Sequence, residues 1–582
     1  MSTNEEPLRL ETGVLVIGTG GAGLRAAIEL NERGHQVLLV GKRPKMDAHT
    51  VLAAGGINAA LGTMDPDDSW QIHAADTLKE GRSLGDPRAV ELLCREAPQA
   101  IAELVKYGVP FAREADGRLS QRYFGAHRYR RTCFVGDYTG QEIIRALVAE
   151  VDRRGVPILE RVYITHLLTA GRRVNGALGF MLDNQREVIV HAGAVVLATG
   201  GHIHIYRRSS SRRRENTGDG MALAFDVGAT LADMELVQFH PSGMVWPSEL
   251  EGTLVTEAVR GEGGRLLNRY GERFMAHYDQ ERLELSTRDR VALANYTEIV
   301  EGRGTEHGGV WLDISHLPAA TIRSRLPRML AQFAAVGVDI TREPMEVAPT
   351  AHYSMGGIRV EAATHATDVP GLFAIGEVAA GVHGANRLGG NSLVELIVFG
   401  RRAGAAAGSL VAAEGIPPLD EPALERKRLA NRHLADLDGT VQRALIGELQ
   451  EAMWRRAGVV RDATGLEQGL QQIEAIRRRA DSAPSGAPDR PAALDLRSML
   501  LTAEATIRSA LLRTESRGAH RRSDFPITDP GWQRTILVQS CSADDASSAG
   551  FVLTTAEIEP PSDEIVAVFA EADVEVAGRL VE

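Results

Sequence analysis

Cysteine is nearly absent from this chain: three in 582 residues, at Cys94, Cys133 and Cys541. No two of them have the spacing of a zinc site, a redox CxxC pair or an iron–sulfur cradle, and so few exclude a disulfide-built scaffold. The pattern suits a reducing compartment. Basic charge is also short. Lys plus Arg number 65 against 77 for Asp plus Glu, a formal net charge of -12, so the chain lacks the basic footprint of a nucleic-acid binder and no such partner is expected. No apolar run approaches the roughly 18 residues that cross a bilayer. The opening MSTNEEPLRLE is too polar and acidic for a secretory signal or an Arg-rich transit peptide. If the protein works at a membrane, another chain is expected to hold it there.

What remains is an ordinary globular balance, 44% hydrophobic and 24% charged, enough for three or four domains at roughly 150 residues each. Sixty glycines cluster in short runs, as backbone does where it packs close to a ligand. Residues 14–18 (VLVIG) read as a buried parallel strand, 22–33 as a helix with Leu24, Ala27 and Ile28 on one face, and 36–40 (QVLLV) as a second strand. Further buried strands end at Thr199-Gly200-Gly201 and at Gly376-Glu377. The mixed pattern from 236 to 350 interrupts this fold. From 418 the period turns helical, with Leu445, Leu449 and Met453 four apart and Leu496, Leu500, Ala503 and Ile507 three or four apart. A loop at 483–491 (APSGAPDRP) divides the helices. The last forty residues are acidic, with Arg579 their only base, and carry weak strand-like runs.

Gly18-Thr19-Gly20-Gly21-Ala22-Gly23 is a G-x-G-x-x-G run between strand and helix. Gly18 permits the tight turn, Gly20 admits a pyrophosphate, and Gly23 lets the helix pack on the strand. The helix N-terminus then offers free N–H groups to phosphates. The second strand ends in Lys42-Arg43 with no acidic residue for a ribose, so this position leaves the dinucleotide open.

Several motifs then fall in order over residues 14–526. They are His49-Thr50 before Ala54-Gly55-Gly56; Gln238-Phe239-His240-Pro241-Ser242-Gly243; Thr256-Glu257-Ala258-Val259-Arg260; His352-Tyr353-Ser354-Met355-Gly356-Gly357; the run 383–393 (HGANRLGGNSL); and 513–520 (RTESRGAH). In these the chain resembles the flavoprotein subunits of succinate dehydrogenase and fumarate reductase, a superfamily that also holds L-aspartate oxidase. The resemblance implies an α/β fold. A Rossmann-like FAD-binding domain (1–235 and 351–417) would be interrupted by an α+β capping domain (236–350), then followed by a helical domain (418–515) and a small C-terminal domain (516–582).

It also implies hydride exchange between a four-carbon dicarboxylate and FAD. By similarity His240, Ser242, Thr256, His352 and Arg387 hold the substrate, Ser242 standing where the family usually has Thr. Arg forks and His donors suit carboxylates. Arg288 matches the proton carrier. Arginine is a strange base, with a pKa above 12, unless a carboxylate takes up the proton as it receives another; Glu257 and Arg260, three apart, match that relay.

For the cofactor the resemblance implies Gly18, Gly20, Gly21, Gly23 and Lys42 on the nucleotide, with Thr50, Gly55 and Gly56 beyond them. Asp219 and Glu377 match further FAD contacts, and Asn391, Ser392 and Leu393 would lie near the flavin ring. His49 matches the histidine that carries FAD covalently, although Asp47-Ala48 precede it where Arg-Ser is usual. No residue set reads as a metal site, His202-Ile203-His204 being too short and isolated. The arginines at 207, 208, 212, 213 and 214 read as a solvated loop.

Iron–sulfur clusters and quinone are expected on partner subunits only, which would be a membrane anchor and an iron–sulfur subunit. They would hold this chain peripherally on the cytoplasmic side of the membrane. Two alternatives stand beside succinate oxidation, namely fumarate reduction and L-aspartate oxidase. The short loop Phe124–Thr132 leans toward the oxidase; His49 and Met355 lean away. A non-catalytic flavin-binding role is a third, against which the intact Arg288, His240, His352 and Arg387 argue.

Overall fold

The computed structural model describes residues 6–434, 437–540 and 550–569, with the side chains of 432–434 left out; Cys541 and Arg579 lie outside them. At its centre is a sheet of seven strands. Leu8–Ile17 lies between Val37–Gly41 and Glu187–Leu197, parallel to both, with Val14 opposite Val37 and Leu15 opposite Val195. Ile158–Glu160 extends the sheet beyond Val37–Gly41, and Leu372–Ala374 adds to the end of Glu187–Leu197. Arg173–Met181 and Val162–Ala170 continue it antiparallel.

The first strand starts six residues earlier than the apolar run suggests. Residues 8–11 alternate between half-buried and exposed, whereas 12–17 are buried throughout, so the strand enters from the rim of the sheet before it reaches the core.

The strand-to-helix turn obeys the glycine logic. Gly18 has φ +119°, in the region that favours glycine, and a Cβ there would collide with the Ala198 carbonyl; one at Gly23 would collide with the Gly18 carbonyl. The helix Gly21–Glu32 follows and packs along the 24-residue helix Asn391–Glu414. That second helix overturns the expectation about apolar runs, since by length and composition alone it could cross a bilayer. Its buried residues, among them Val394, Ile397, Val398, Phe399 and Ala403, belong instead to the same core as Leu24, Ala27 and Ile28.

A second core gathers Met244, Val255, Leu266, Val291, Leu312, Ile322, Met345 and Val347. It lies beside a four-stranded antiparallel sheet made from Val237–Met244, Met345–Ser354, Val310–Asp313 and Arg265–Leu267. Three helices, Gly439–Arg456, Ala463–Asp481 and Arg490–Leu512, bury Leu445, Leu449, Met453, Leu496, Leu500, Ala503 and Ile507 in a third core. Arg490 and Pro491, read as loop, open the last of these helices. Asp489 caps it by accepting the Ala492 N–H at 3.2 Å, and proline at a first turn loses no hydrogen bond.

Towards the C-terminus, Arg534–Ser540 pairs with Phe551–Glu557 and also with Leu231–Ala232. These two strands are thus stitched into a sheet with a much earlier segment.

Candidate functional site

An open cleft runs from the C-terminal ends of the parallel strands to the antiparallel sheet. Ligands bind at such strand ends in open α/β sheets. Its first half is lined by Gly18, Gly20, Gly21, Lys42, His49, Thr50, Gly55, Gly56, Asp219, Glu377, Ser392 and Leu393. Its second half is lined by His240, Thr256, Glu257, Arg288, His352 and Arg387. Residues as far apart in sequence as Gly18 and Leu393 therefore share one surface.

Four sequence candidates do not line it. Gly23 serves the turn beneath. Ser242 is buried, its hydroxyl donating to the Val255 carbonyl at 3.0 Å and its backbone N–H lying 3.2 Å from His240 Nδ1, so it braces His240 rather than facing the cleft. Asn391, expected near the flavin ring, is used up behind the glycine-rich turn. It donates to Thr77 Oγ1 at 2.9 Å, accepts from Asn58 Nδ2 at 2.7 Å, and stands 2.9 Å from His73 Nε2. Arg260 lies behind Glu257, its Nη2 3.7 Å from Glu257 Oε2 and its Nη1 donating to the Glu284 carbonyl.

In the nucleotide half, Lys42 and Asp219 are one ion pair at 2.9 Å, with Asp495 3.6 Å from the same ammonium. Burial favours the neutral amine, but the two carboxylates outweigh it and raise the Lys42 pKa. Thr50 Oγ1 accepts the Gly21 N–H at 3.3 Å, fixing the loop of His49 over the helix N-terminus. Glu377 accepts the Ser354 N–H at 3.0 Å, and burial raises its pKa. A Cβ at Gly201 would strike both Glu377 and Ser354.

These walls fit a dinucleotide. Glycine backbone lines the floor, a helix N-terminus points in, and Thr199 Oγ1, buried on the cleft wall, has no hydrogen-bond partner among the described residues.

The arginine-rich loop is only in part the solvated segment that its charge suggests: Arg207 and Arg213 are exposed, but most of its arginines are held in ion pairs. Arg207 and Arg208 pair with Glu251, Arg212 with Asp47 and Glu215, and Arg214 with Asp489. Within it Glu215 is buried and lies 3.2 Å from His49 Nδ1.

In the second half, His240 stands on Val237–Met244 and His352 on the neighbouring strand Met345–Ser354. Gln238 faces Tyr353 and Phe239 faces Ala351, which leaves His352 as the extra residue of a bulge. The two rings meet edge to face at 5.1 Å. Burial, then nearby cations for His240 and the facing His240 and Arg387 for His352, hold both pKa values well below 6.5. Both rings are therefore neutral at neutral pH.

Arg387 is 3% exposed and lies over the Tyr353 ring at 4.4 Å. Its Nη1 donates to Ser392 Oγ at 3.3 Å, while its buried Nε has no partner among the described residues. Burial and repulsion from Arg288 lower its pKa to about 9, which leaves it charged at neutral pH. A buried guanidinium without a carboxylate of its own is a ready site for an anion.

Arg288 donates to Glu257 Oε2 through Nε at 2.8 Å and stands 2.7 Å from it through Nη2. Burial pushes Glu257 up, but Arg288 and Arg260 overcome it and bring its pKa down to about 2. The loop that leaned toward the oxidase reaches this point: Phe124 lines the cleft, and the Gly125 N–H donates to Glu257 Oε1 at 3.2 Å.

A polar chain runs behind Arg288. Its Nη1 donates to Gln238 Oε1 (3.2 Å), Gln238 Nε2 to Asn386 Oδ1 (2.8 Å), and Asn386 Nδ2 to Glu80 Oε1 (2.6 Å) and Asp289 Oδ1 (3.0 Å). Burial and the Asp289 charge raise Glu80 to about 8. Sequence reasoning missed Glu80 and Glu215, which sit in no motif; Gln238 and Asn386 stood inside quoted motifs without a role.

The FAD binding domain family matches residues 13–393, and the fumarate reductase flavoprotein C-terminal family matches 446–561. A subunit of the fumarate reductase (CoM/CoB) from Methanothermobacter marburgensis is 48% identical over 91% of this chain and 97% of its own length. A succinate dehydrogenase flavoprotein subunit of Rickettsia bellii is 38% identical over 95% and 97%. Among solved structures, Sdh1 of Mycobacterium smegmatis in complex with UQ1 superposes with a TM-score of 0.87 at 41% identity, covering 98% of both chains.

Proposed function

The chain belongs to the FAD-binding flavoprotein family of the succinate dehydrogenase and fumarate reductase subunits, and from that premise we propose that it interconverts succinate and fumarate. The observation that carries the reading is Arg387: a buried, charged guanidinium without a carboxylate partner among the described residues, facing the Glu257–Arg288 pair across one cleft. A dicarboxylate supplies the missing negative charge. Its carboxylates would be held by Arg387 and by N–H donors of the neutral His240 and His352, with the Thr256 hydroxyl beside them.

FAD bound along the glycine-lined half, covalently through His49, supplies the hydride acceptor. The protein's own part is to place the carbon chain and to move a proton. Arg288 exchanges that proton with the substrate carbon. Glu257, ionised and gripping Arg288 by two nitrogens, offsets the charge change and hands the proton on towards Arg260. The low dielectric behind them makes the pair effective and forbids leaving either charge alone.

Cys94 and Cys133 are both buried and far apart in sequence, so a cluster would have to come from elsewhere. Electrons would leave one at a time to an iron–sulfur subunit, then pass through a membrane anchor to quinone. That arrangement would place this chain peripherally, on the cytoplasmic face. The relative named as a fumarate reductase favours the reductive direction as a second reading.

Two dye-linked assays test the proposal on the purified holoprotein: succinate-dependent reduction of an oxidised dye and fumarate-dependent oxidation of a reduced viologen. Activity in either supports it, and the ratio gives the favoured direction. Inactivity in both, with FAD bound, would refute it.

A further inference from the structure

In the cleft wall, and outside every motif, lies a carboxylate whose surroundings are built around one histidine. Glu215 is 5% exposed and presents Oε2 to His49 Nδ1 at 3.2 Å. Arg212 holds it by Nη2 to Oε1 at 2.6 Å and by Nε to Oε2 at 3.0 Å, and Arg43 Nε stands 3.3 Å from Oε1. Asp47, which stands in place of the usual arginine, pairs in turn with both of these arginines. Its carboxylate thereby neutralises the cations that fix Glu215.

We propose that Glu215 is the positioning residue for covalent attachment of the flavin to His49, accepting the Nδ1–H so that the Nε2 lone pair faces the flavin's 8α-methyl carbon. The inference rests on the covalent tie in the function proposed above.

A carboxylate on one ring nitrogen fixes the tautomer and raises the basicity of the other. It also stabilises the imidazolium that forms as the bond is made, without itself taking the proton. Burial would raise the pKa of Glu215, but His49 and Arg212 overcome it and hold it near 2, so it stays ionised.

In the attachment step the Nε2–C8α bond forms and one C8α–H bond breaks. The two electrons enter the isoalloxazine ring, which a two-electron oxidant, fumarate or dioxygen, then reoxidises. C8α and Nδ1 each give up one proton, and the reoxidising step takes up two protons with the two electrons, yielding succinate or hydrogen peroxide.

His49 must be neutral to attack. Burial favours that form, but the hydrogen bond to Glu215 and its charge, with Glu377 beyond, raise the His49 pKa, while Arg212 opposes them. His352 also faces this ring electrostatically. Attachment is therefore expected to speed up as pH rises through the His49 pKa.

The test follows covalent flavin per chain in the full-length protein. Riboflavin is returned to a starved culture and fluorescence is read in denaturing gels, with total FAD measured separately. Glu215→Gln is expected to bind as much FAD but attach it at least about tenfold more slowly, within the usual cost of losing such a partner; Glu215→Asp should recover part of the rate. In purified protein reloaded with FAD and fumarate, Glu215→Gln should shift the pH midpoint of attachment down. Arg212→Gln, which removes the competing cation, should shift it up, and serves if the first variant folds poorly. Equal rates and unmoved midpoints would overturn the role of Glu215 while leaving the covalent tie standing. Flavin released wholly by acid from the wild type would overturn both.

Discussion

Glu257 and Arg288 meet through a single oxygen: Glu257 Oε2 lies 2.8 Å from Arg288 Nε and 2.7 Å from Nη2, while the other oxygen takes the Gly125 N–H. The guanidinium is therefore gripped from one side, and its remaining nitrogen, Nη1, is steadied by Gln238. Such a clamp fixes where the arginine points and keeps a carboxylate beside it whenever its charge changes.

Arg288→Lys removes the fork but keeps a cation. FAD content and dicarboxylate binding, read from flavin spectral shifts, are expected to persist while turnover falls by roughly a thousandfold, within the range for losing a proton-transfer group. A variant with wild-type turnover would remove Arg288 from the proton path.

Arg387→Lys tests the anion site. A point charge cannot reproduce a planar fork held over Tyr353, so KM for succinate and fumarate is expected to rise by about tenfold or more. Steady-state kinetics with both substrates checks it; an unchanged KM would show that the carboxylates are held elsewhere.

Glu80 gives a pH signature in stability. In the fold it keeps its proton to about pH 8, whereas its ordinary value is 4.5. Between those values the folded state binds more protons than the unfolded one, so this group's contribution is full below pH 4.5 and is lost as pH rises towards and through 8. Glu80→Gln copies the protonated form and should remove that part of the slope. Thermal midpoints of both proteins from pH 5 to 9 should converge at the acid end, with the variant higher at the alkaline end; parallel curves would contradict the shift.

Gly201→Ala places a methyl against Glu377 and Ser354. Glu377 must move off the Ser354 N–H, so the variant is expected to purify with markedly less FAD per chain. Full retention would mean that Glu377 does not hold the cofactor.

Much of this was legible in the sequence because the chemistry is local. Gly18 and Gly23 face backbone that tolerates no Cβ, and His240 and Thr256 sit in short motifs that fold as units. The strand start at Leu8 was not legible, since residues 8–11, paired on one side only and alternately exposed, form no continuous apolar run. Where the Asn391 carboxamide points was not legible because its motif marks a turn, and only the fold reveals that it bonds Thr77, Asn58 and His73 behind that turn. Glu215 was hidden among arginines that read as a solvated loop, and its meaning depends on His49, 166 residues away. The helix Asn391–Glu414 shows the reverse: apolar composition alone cannot distinguish a core helix from a membrane-crossing one, and only its packing on Gly21–Glu32 decides.

The most direct measurement is anaerobic: succinate, and separately L-aspartate, added to the oxidised holoprotein while flavin absorbance is followed. The account predicts bleaching by succinate, reversed by fumarate, and none by aspartate. Bleaching by aspartate alone would contradict it and make the loop Phe124–Thr132 the better guide to the substrate.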